Sequence, residues 1–305
     1  MARIVSLLPA ATEIVCALGA GEDLVGISHE CDFPPEIHER AVLTRSRIDN
    51  SLSSAAIDRA VRAVLTDALS IYTVDERRLA ELSPTVILTQ DLCEVCAVSL
   101  DDVRSAVARM ASRDVEIVSL RPTRLADVFS DIETVAAALG LAERGRELRG
   151  ELESRVRTIA ARARRATRRP RVVSIEWLEP IMLGGTWMPE LIELAGGFAL
   201  GALAGAPAPT VALSELSRLA PEIALIKPCG FDLRRTLGER ELLRPIVRAL
   251  GERGRAYATD GNAFFNRPGP RLVESLEILA ACLQPELFAD FVEKHQSRLF
   301  TLTDD

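Results

Sequence analysis

Long apolar runs are missing from this chain. No stretch approaches the ~18–20 consecutive apolar residues that a membrane-spanning helix needs, so no helical span is predicted. A basic excess is missing too: 37 Lys and Arg stand against 44 Asp and Glu, for a net charge of −7. That balance argues against nucleic acid or an anionic membrane surface as the main partner. No P-loop is present, and no G-x-G-x-x-G follows a strand, so no phosphate cradle is predicted. The apolar stretch in residues 1–9 is short and is cut by Pro9, which does not read as a secretory leader. The location expected on that ground is cytoplasmic. The six cysteines, Cys16, Cys31, Cys93, Cys96, Cys229 and Cys282, are few for 305 residues. In a reducing compartment they are expected as thiols or metal ligands rather than disulfides.

What is present reads as a globular α/β chain. The length suggests about two domains, and 48% hydrophobic with 27% charged residues is ordinary for a packed protein. Short β-branched runs at 3–8, 24–27, 85–89 and 115–119 read as strands, separated by helical stretches at 11–18, 53–65, 77–82 and 99–110. Ser53 is a plausible N-cap. The second half repeats this order, with strands at 171–175, 222–226 and 256–259 and helices at 189–195, 239–250 and 272–283. Leu79-Ala-Glu-Leu-Ser-Pro84 also parallels Leu216-Ser-Arg-Leu-Ala-Pro221. At both, a helix should stop because proline disfavours helical geometry in the residue before it. Alternation of this kind predicts parallel sheets covered on both faces. The expected fold class is therefore α/β in two parallel-sheet lobes, 1–122 and 170–305.

Residues 123–169 are expected to join the lobes as a rigid helical backbone. Within them, 142–167 has no proline, and about 26 residues at 1.5 Å rise would span about 39 Å. Leu148, Leu152, Val156, Ile159 and Ala163 step by three or four and form one apolar stripe. The Arg162, Arg164, Arg165, Arg168 and Arg169 cluster reads as a solvated face favourable at a helix C-terminus.

Ligands of open parallel sheets sit outside the carboxyl ends of the strands. That rule picks Pro9, Thr12 and Glu13 after the first strand, then Ser28, His29, Glu30, Cys31 and Asp32 after the second. After residue 89 come Gln90, Asp91, Cys93 and Cys96. In the second half it picks Glu176, Trp177, Trp187, Lys227, Cys229 and the segment 260–267, with Phe264, Phe265 and Arg267. Aromatics are only 4% of the chain, yet both tryptophans fall in this set. Large rigid rings of that kind stack on a flat ligand at little entropic cost. Cys93-Glu-Val-Cys96, with His29 and Cys31, is a candidate thiolate and imidazole set for a soft metal or the metal of a complex. Buried packing and a thiol redox pair are the other readings of the same cysteines. No catalytic nucleophile stands in a recognisable arrangement, so no catalytic residue is assigned and the chain is not expected to be an enzyme.

Several segments resemble one family. They are Arg3-Ile-Val-Ser-Leu-Leu-Pro-Ala-Ala-Thr-Glu13, Val25-Gly-Ile-Ser-His-Glu-Cys-Asp-Phe-Pro-Pro35, Leu82-Ser-Pro-Thr-Val-Ile87 and Gly185-Thr-Trp-Met-Pro-Glu-Leu-Ile-Glu-Leu-Ala-Gly-Gly197. The tail from Asp260 through Phe264-Phe265-Asn266-Arg267 to Arg271 also fits. Together they are similar to the periplasmic-binding-protein family for cobalamin and iron complexes, in its helical-backbone class, and closest to the vitamin B12-binding subgroup. An apparent insertion lies around 46–72. The resemblance implies a non-catalytic protein that holds a corrinoid, cobalamin or a relative, between its lobes. Trp177, Trp187 and Phe264 or Phe265 would then pack on the ring, and His29, Cys31, Cys93 and Cys96 would lie near the metal or an amide. Arg267 and Asp91 would make polar contacts. A haem, an iron chelate or a bare soft metal is the alternative ligand, and a cytoplasmic thiol enzyme the alternative class. The resemblance also implies an ABC-type membrane permease as partner, docked through an acidic residue on each lobe. Asn266 stands where the second is expected and carries no charge, which argues against that partner.

Overall fold

The computed structural model describes residues 2–66, 71–90, 100–108 and 115–303. It resolves into two compact units, Met1–Pro122 with Ala126–Glu151, and Thr123–Leu125 with Leu152–Asp305.

In the first unit, β1 (Ile4–Ser6), α1 (Pro9–Ala17), β2 (Leu24–Ile27), β3 (Ala41–Val42), β4 (Thr44–Ser46), α2 (Ser54–Thr66), β5 (Tyr72–Val74), α3 (Glu76–Leu82), β6 (Val86–Gln90), α4 (Leu100–Ala108) and β7 (Glu116–Leu120) follow one another. Among the described residues, five of these strands form a wholly parallel sheet in the order β3-β2-β1-β6-β7. Its middle strands are apolar because both faces are covered: Ile4, Val5, Ile87 and Leu88 are fully buried. The residues read as an insertion are bracketed by a separate antiparallel ribbon, in which Thr44 pairs with Val74 and Ser46 with Tyr72. Ser53 Oγ accepts the Ala56 N–H at 3.4 Å at the start of α2, the cap its hydroxyl suggested.

Helix α5 (Leu125–Ala138) is followed by α6 (Ala142–Ala163). The α6 helix has 22 residues, or about 33 Å. Its residues through Glu151 belong with the first unit and those from Leu152 with the second. Leu152, Val156, Ile159 and Ala163 are buried, as the stripe required. The helix ends four residues earlier than its composition suggested. Local propensity offers no stop before Pro170, but tertiary partners do. Arg168 pairs with Glu222, and Arg169 donates to Glu193 at 3.1 Å and to the Gly197 carbonyl at 2.7 Å. Arg168 and Arg169 are therefore held by carboxylates and a carbonyl, while Arg164 and Arg165 are exposed.

In the second unit, β8 (Arg171–Trp177), β9 (Ile181–Leu183), α7 (Met188–Leu194), β10 (Phe198–Ala199), β11 (Thr210–Val211), α8 (Leu213–Leu219), β12 (Ile223–Ile226), α9 (Leu233–Gly238), α10 (Arg240–Ala249), β13 (Arg255–Thr259), α11 (Leu272–Leu283), α12 (Ala289–Lys294) and β14 (Leu299–Leu302) follow in order. The parallel run β10-β8-β12-β13 repeats the run β2-β1-β6-β7 of the first unit. Val173, Ile175, Leu183, Leu216, Ala224 and Ile226 form its core. Here the sheet is not purely parallel as expected: β9, β11 and β14 are antiparallel additions. They are short and carry little periodicity, so only pairing reveals them.

The two matching helix–proline junctions adopt the same geometry, and not the extended one that proline usually imposes on its predecessor. Ser83 (φ 44°, ψ 59°) and Ala220 (φ 45°, ψ 56°) are both left-handed. Each donates its N–H back into the last helical turn, to the Ala80 and Ser217 carbonyls respectively. A non-glycine residue in this region costs about 1–2 kcal/mol, and its recurrence at equivalent places marks the same supersecondary unit used twice.

Candidate functional site

The strand ends of the first unit gather small polar side chains into one network. Pro9 starts α1 directly after β1, and its fixed φ suits the first helical turn. One turn on, the buried Thr12 hydroxyl donates to Ser6 Oγ at 2.8 Å and lies 3.0 Å from the Cys31 sulfur. Glu13 follows and is buried. After β2, the Thr44 hydroxyl from the ribbon becomes the centre. It accepts the His29 backbone N–H at 3.0 Å, lies 2.6 Å from His29 Nδ1 and donates to Ser28 Oγ at 3.1 Å. Ser28 Oγ also accepts the Glu30 N–H at 3.3 Å. Tyr72 packs its ring against His29, with centroids 5.2 Å apart, and donates its hydroxyl to Glu30 Oε1 at 2.8 Å. The only buried side-chain polar atom of this set without a partner, among the described residues, is His29 Nε2. Burial holds the His29 pKa below the usual imidazole value. Asp32 is exposed.

In the second unit a buried cation anchors the strand ends. Lys227 follows β12, is 0% exposed, and donates to Glu176 Oε2 at 3.1 Å and to Asn266 Oδ1 at 2.6 Å. The Asn266 amide then donates to the Lys227 and Gly261 carbonyls at 3.0 and 2.8 Å. Asn266 is thus spent holding Lys227. Arg267 donates to Asn262 Oδ1 at 3.0 Å. Asp260 accepts the Asn262 and Ala263 N–H groups at 2.9 and 2.7 Å. Its burial raises its pKa against those bonds. Trp177 is part-exposed at the end of β8, tilted over Phe231 at 5.3 Å. Cys229 is exposed and unbonded to other cysteines.

The expected ring-stacking set divides here. Trp187 is 5% exposed and donates its Nε1–H to the Phe265 carbonyl at 2.8 Å. Phe264 and Phe265 are 5% and 0% exposed. These three rings serve the interior of their own unit. Trp177 is the ring of that set left at the surface. Asp91, Cys93 and Cys96 lie outside the described residues, so the expected metal set reduces to His29 and Cys31. Among the described residues, no group of three or more His, Cys, Asp or Glu is placed to hold a metal ion. Sequence reading missed Thr44 and Tyr72. Tyr72 is one of only two tyrosines and sits at the edge of the insertion, a rarity that could have singled it out.

The family described as periplasmic binding protein matches residues 4–244. The chain belongs to the periplasmic binding protein family. Curated relatives include the vitamin B12-binding protein of Photorhabdus laumondii, 22% identical over 91% of this chain and 86% of that protein. The vitamin B12-binding protein of Vibrio cholerae is 22% identical over 92% of this chain and 89% of that protein. Among solved structures, a periplasmic heme-binding protein from Roseiflexus in apo form has a TM-score of 0.67 at 22% identity, over 95% of this chain and 98% of its own. The periplasmic vitamin B12-binding protein of V. cholerae has a TM-score of 0.64 at 17% identity, over 97% and 98%. These structural likenesses establish the α/β fold. Membership in a periplasmic binding protein family overturns the cytoplasmic location expected from the first residues: the family evidence spans most of the chain, and it points to the periplasm. It also leaves the cytoplasmic thiol-enzyme alternative without support.

Proposed function

We propose that this periplasmic binding protein holds a corrinoid, without reacting on it, at the strand ends described above. The observation that carries the reading is the end-to-end similarity to vitamin B12-binding proteins across about nine-tenths of the chain. The chemistry of the strand ends fits such a ligand. Hydroxyls of Thr12 and Ser28 and carboxylates of Glu30 and Asp32 in one unit suit the amide side chains of a corrin. In the other, Trp177 offers a part-exposed ring beside the Glu176–Lys227 ion pair. Because the ligand is released unchanged, binding residues need orientation but no nucleophile. A membrane permease is the partner such a protein would serve, and the neutral Asn266 leaves the second-unit docking charge to another acidic residue.

Haem is the second reading, favoured by the heme-binding proteins among similar structures and by the unpartnered imidazole nitrogen of His29. Titration of the purified protein with cyanocobalamin, aquocobalamin and haemin, followed by tryptophan fluorescence and calorimetry, decides between them. Saturable 1:1 binding of a cobalamin at micromolar or lower concentration supports the first reading. Binding of haemin alone replaces it with the second, and binding of none removes both.

A further inference from the structure

Of the two tryptophans, Trp187 is buried and Trp177 is part-exposed, yet the Trp177 indole is tied on two sides. Its Nε1–H donates to the Glu179 carbonyl at 3.2 Å, so its single donor is spent. Its ring lies 5.3 Å from the Phe231 ring at a tilt of 59°, within the geometry in which aromatic pairs attract. Phe231 is itself fixed. It closes a turn after β12, donating its N–H to the Pro228 carbonyl at 3.1 Å and accepting the Asn262 N–H at 3.0 Å. Gly230 supplies the φ of 73° at the third position of that turn. The Cys229 N–H donates to the Glu176 carbonyl at 3.0 Å, which ties the turn to the strand that ends in Trp177. Phe231 is buried, so its ring serves its neighbours and not solvent. The Arg235 guanidinium carbon stands 4.7 Å from the centroid of that ring, where the ring quadrupole attracts a cation. Asp232 accepts the Arg235 backbone N–H at 2.6 Å, and Glu239 pairs with the guanidinium at 2.8 Å.

We propose that Phe231 and Arg235 are positioning residues that hold the Trp177 indole as a fixed platform for the face of a flat ligand, an assignment that rests on the corrinoid or haem reading above. With Nε1–H committed to Glu179, Trp177 has no donor left for a polar group of the ligand. A flat conjugated or apolar face is the surface it can recognise. A ring already set in its orientation gives up little freedom when a ligand packs on it, and that saving appears as affinity. Arg235 acts one contact further back. It holds the Phe231 ring, while Asp232 and Glu239 hold Arg235. Affinity for a flat ligand therefore depends on side chains one and two contacts removed from the indole.

Titration of the full chain with cyanocobalamin and haemin tests this across Phe231→Leu, Arg235→Gln, Trp177→Ala and each of the first two combined with Trp177→Ala. For the probe that binds the native chain, Phe231→Leu should weaken binding about fivefold. Arg235→Gln should weaken it about threefold. With Trp177→Ala already in place, either change should alter affinity by less than about twofold, because the two residues act only through that ring. A merely structural role would not produce this non-additivity. A second readout uses the ligand-free protein. Labelling with fluorotryptophan gives one resonance for each of the two tryptophans, and Trp177→Ala assigns them. Phe231→Leu should shift or broaden the Trp177 resonance and leave that of Trp187 in place. Equal losses of affinity with and without Trp177 overturn the proposal, as does native affinity in both single variants, and either result leaves ligand binding itself standing. If Phe231→Leu does not fold, the Arg235→Gln pair decides by the same criterion. Failure of both probes to bind the native chain removes the parent reading and this assignment with it.

Discussion

Lys227 is a fully buried ammonium in the second unit. A fully buried ammonium is tolerated only with acceptors in place, and Glu176 and Asn266 supply them. Replacing Glu176 by Leu removes a charged partner of that ammonium and should lower stability by about 3 kcal/mol or more. A drop in the urea midpoint measures it; an unchanged midpoint would mean that Asn266 alone suffices. Ala220 makes the opposite prediction. Its φ of 45° is strained for a residue with a Cβ. Ala220→Gly should stabilise by about 0.5–1 kcal/mol, the relief of left-handed strain exceeding the added entropy of the unfolded chain. Ser83→Gly should behave alike, and a loss of stability at both positions would contradict the strain argument.

At the scale of elements, the C-terminal helices are tied together by one carboxylate. Glu277 on α11 accepts from Arg155 of α6 at 2.8 Å, from Lys294 of α12 at 2.6 Å and from His295 Nε2 at 2.9 Å. Burial by itself would raise its pKa, but bonds from His295, Lys294 and Arg155 overcome that and hold the carboxyl down at about 2. A depressed folded-state pKa contributes stability above the ordinary carboxylate range that is lost as pH falls through the folded value. The contribution is therefore whole at neutral pH and disappears between about pH 4.5 and pH 2. Thermal unfolding of Glu277→Gln against the native chain should show a lower melting temperature at pH 7 and a gap that narrows as pH falls across that window. A gap independent of pH would assign the loss to packing. The ribbon of β4 and β5 acts on the first unit in a similar way, since it delivers both Thr44 and Tyr72 to His29.

For the whole molecule, the two units share one plan: a parallel run of strands in the same order and the same left-handed residue before each junction proline. Binding that is confined to the folded chain must raise its stability by mass action. A cobalamin at about 100 times its dissociation constant should add about 2.7 kcal/mol, or a melting shift of several degrees. Differential scanning calorimetry reads this directly, and a melting temperature unmoved by any probe would contradict ligand binding to the native state.

The sequence alone determined the fold class and the repeat, because buried parallel strands are continuous apolar runs and because helix–proline–strand junctions are local signals at Pro84 and Pro221. The long helix from residue 142 was legible too, as a stripe of evenly spaced apolar side chains, but its composition carried it to 167 and tertiary partners end it at 163. Tertiary structure decided what local signals do not encode. The antiparallel strands are two to four residues long, too short to carry a period, and exist by pairing. Trp187 and Phe265 went to the interior, whereas Trp177 stayed at the surface, since burial depends on neighbours distant in the chain. The surroundings of His29 emerged only when Thr44 and Tyr72 arrived beside it, because a hydrogen-bond network is satisfied in space and leaves no spacing in sequence.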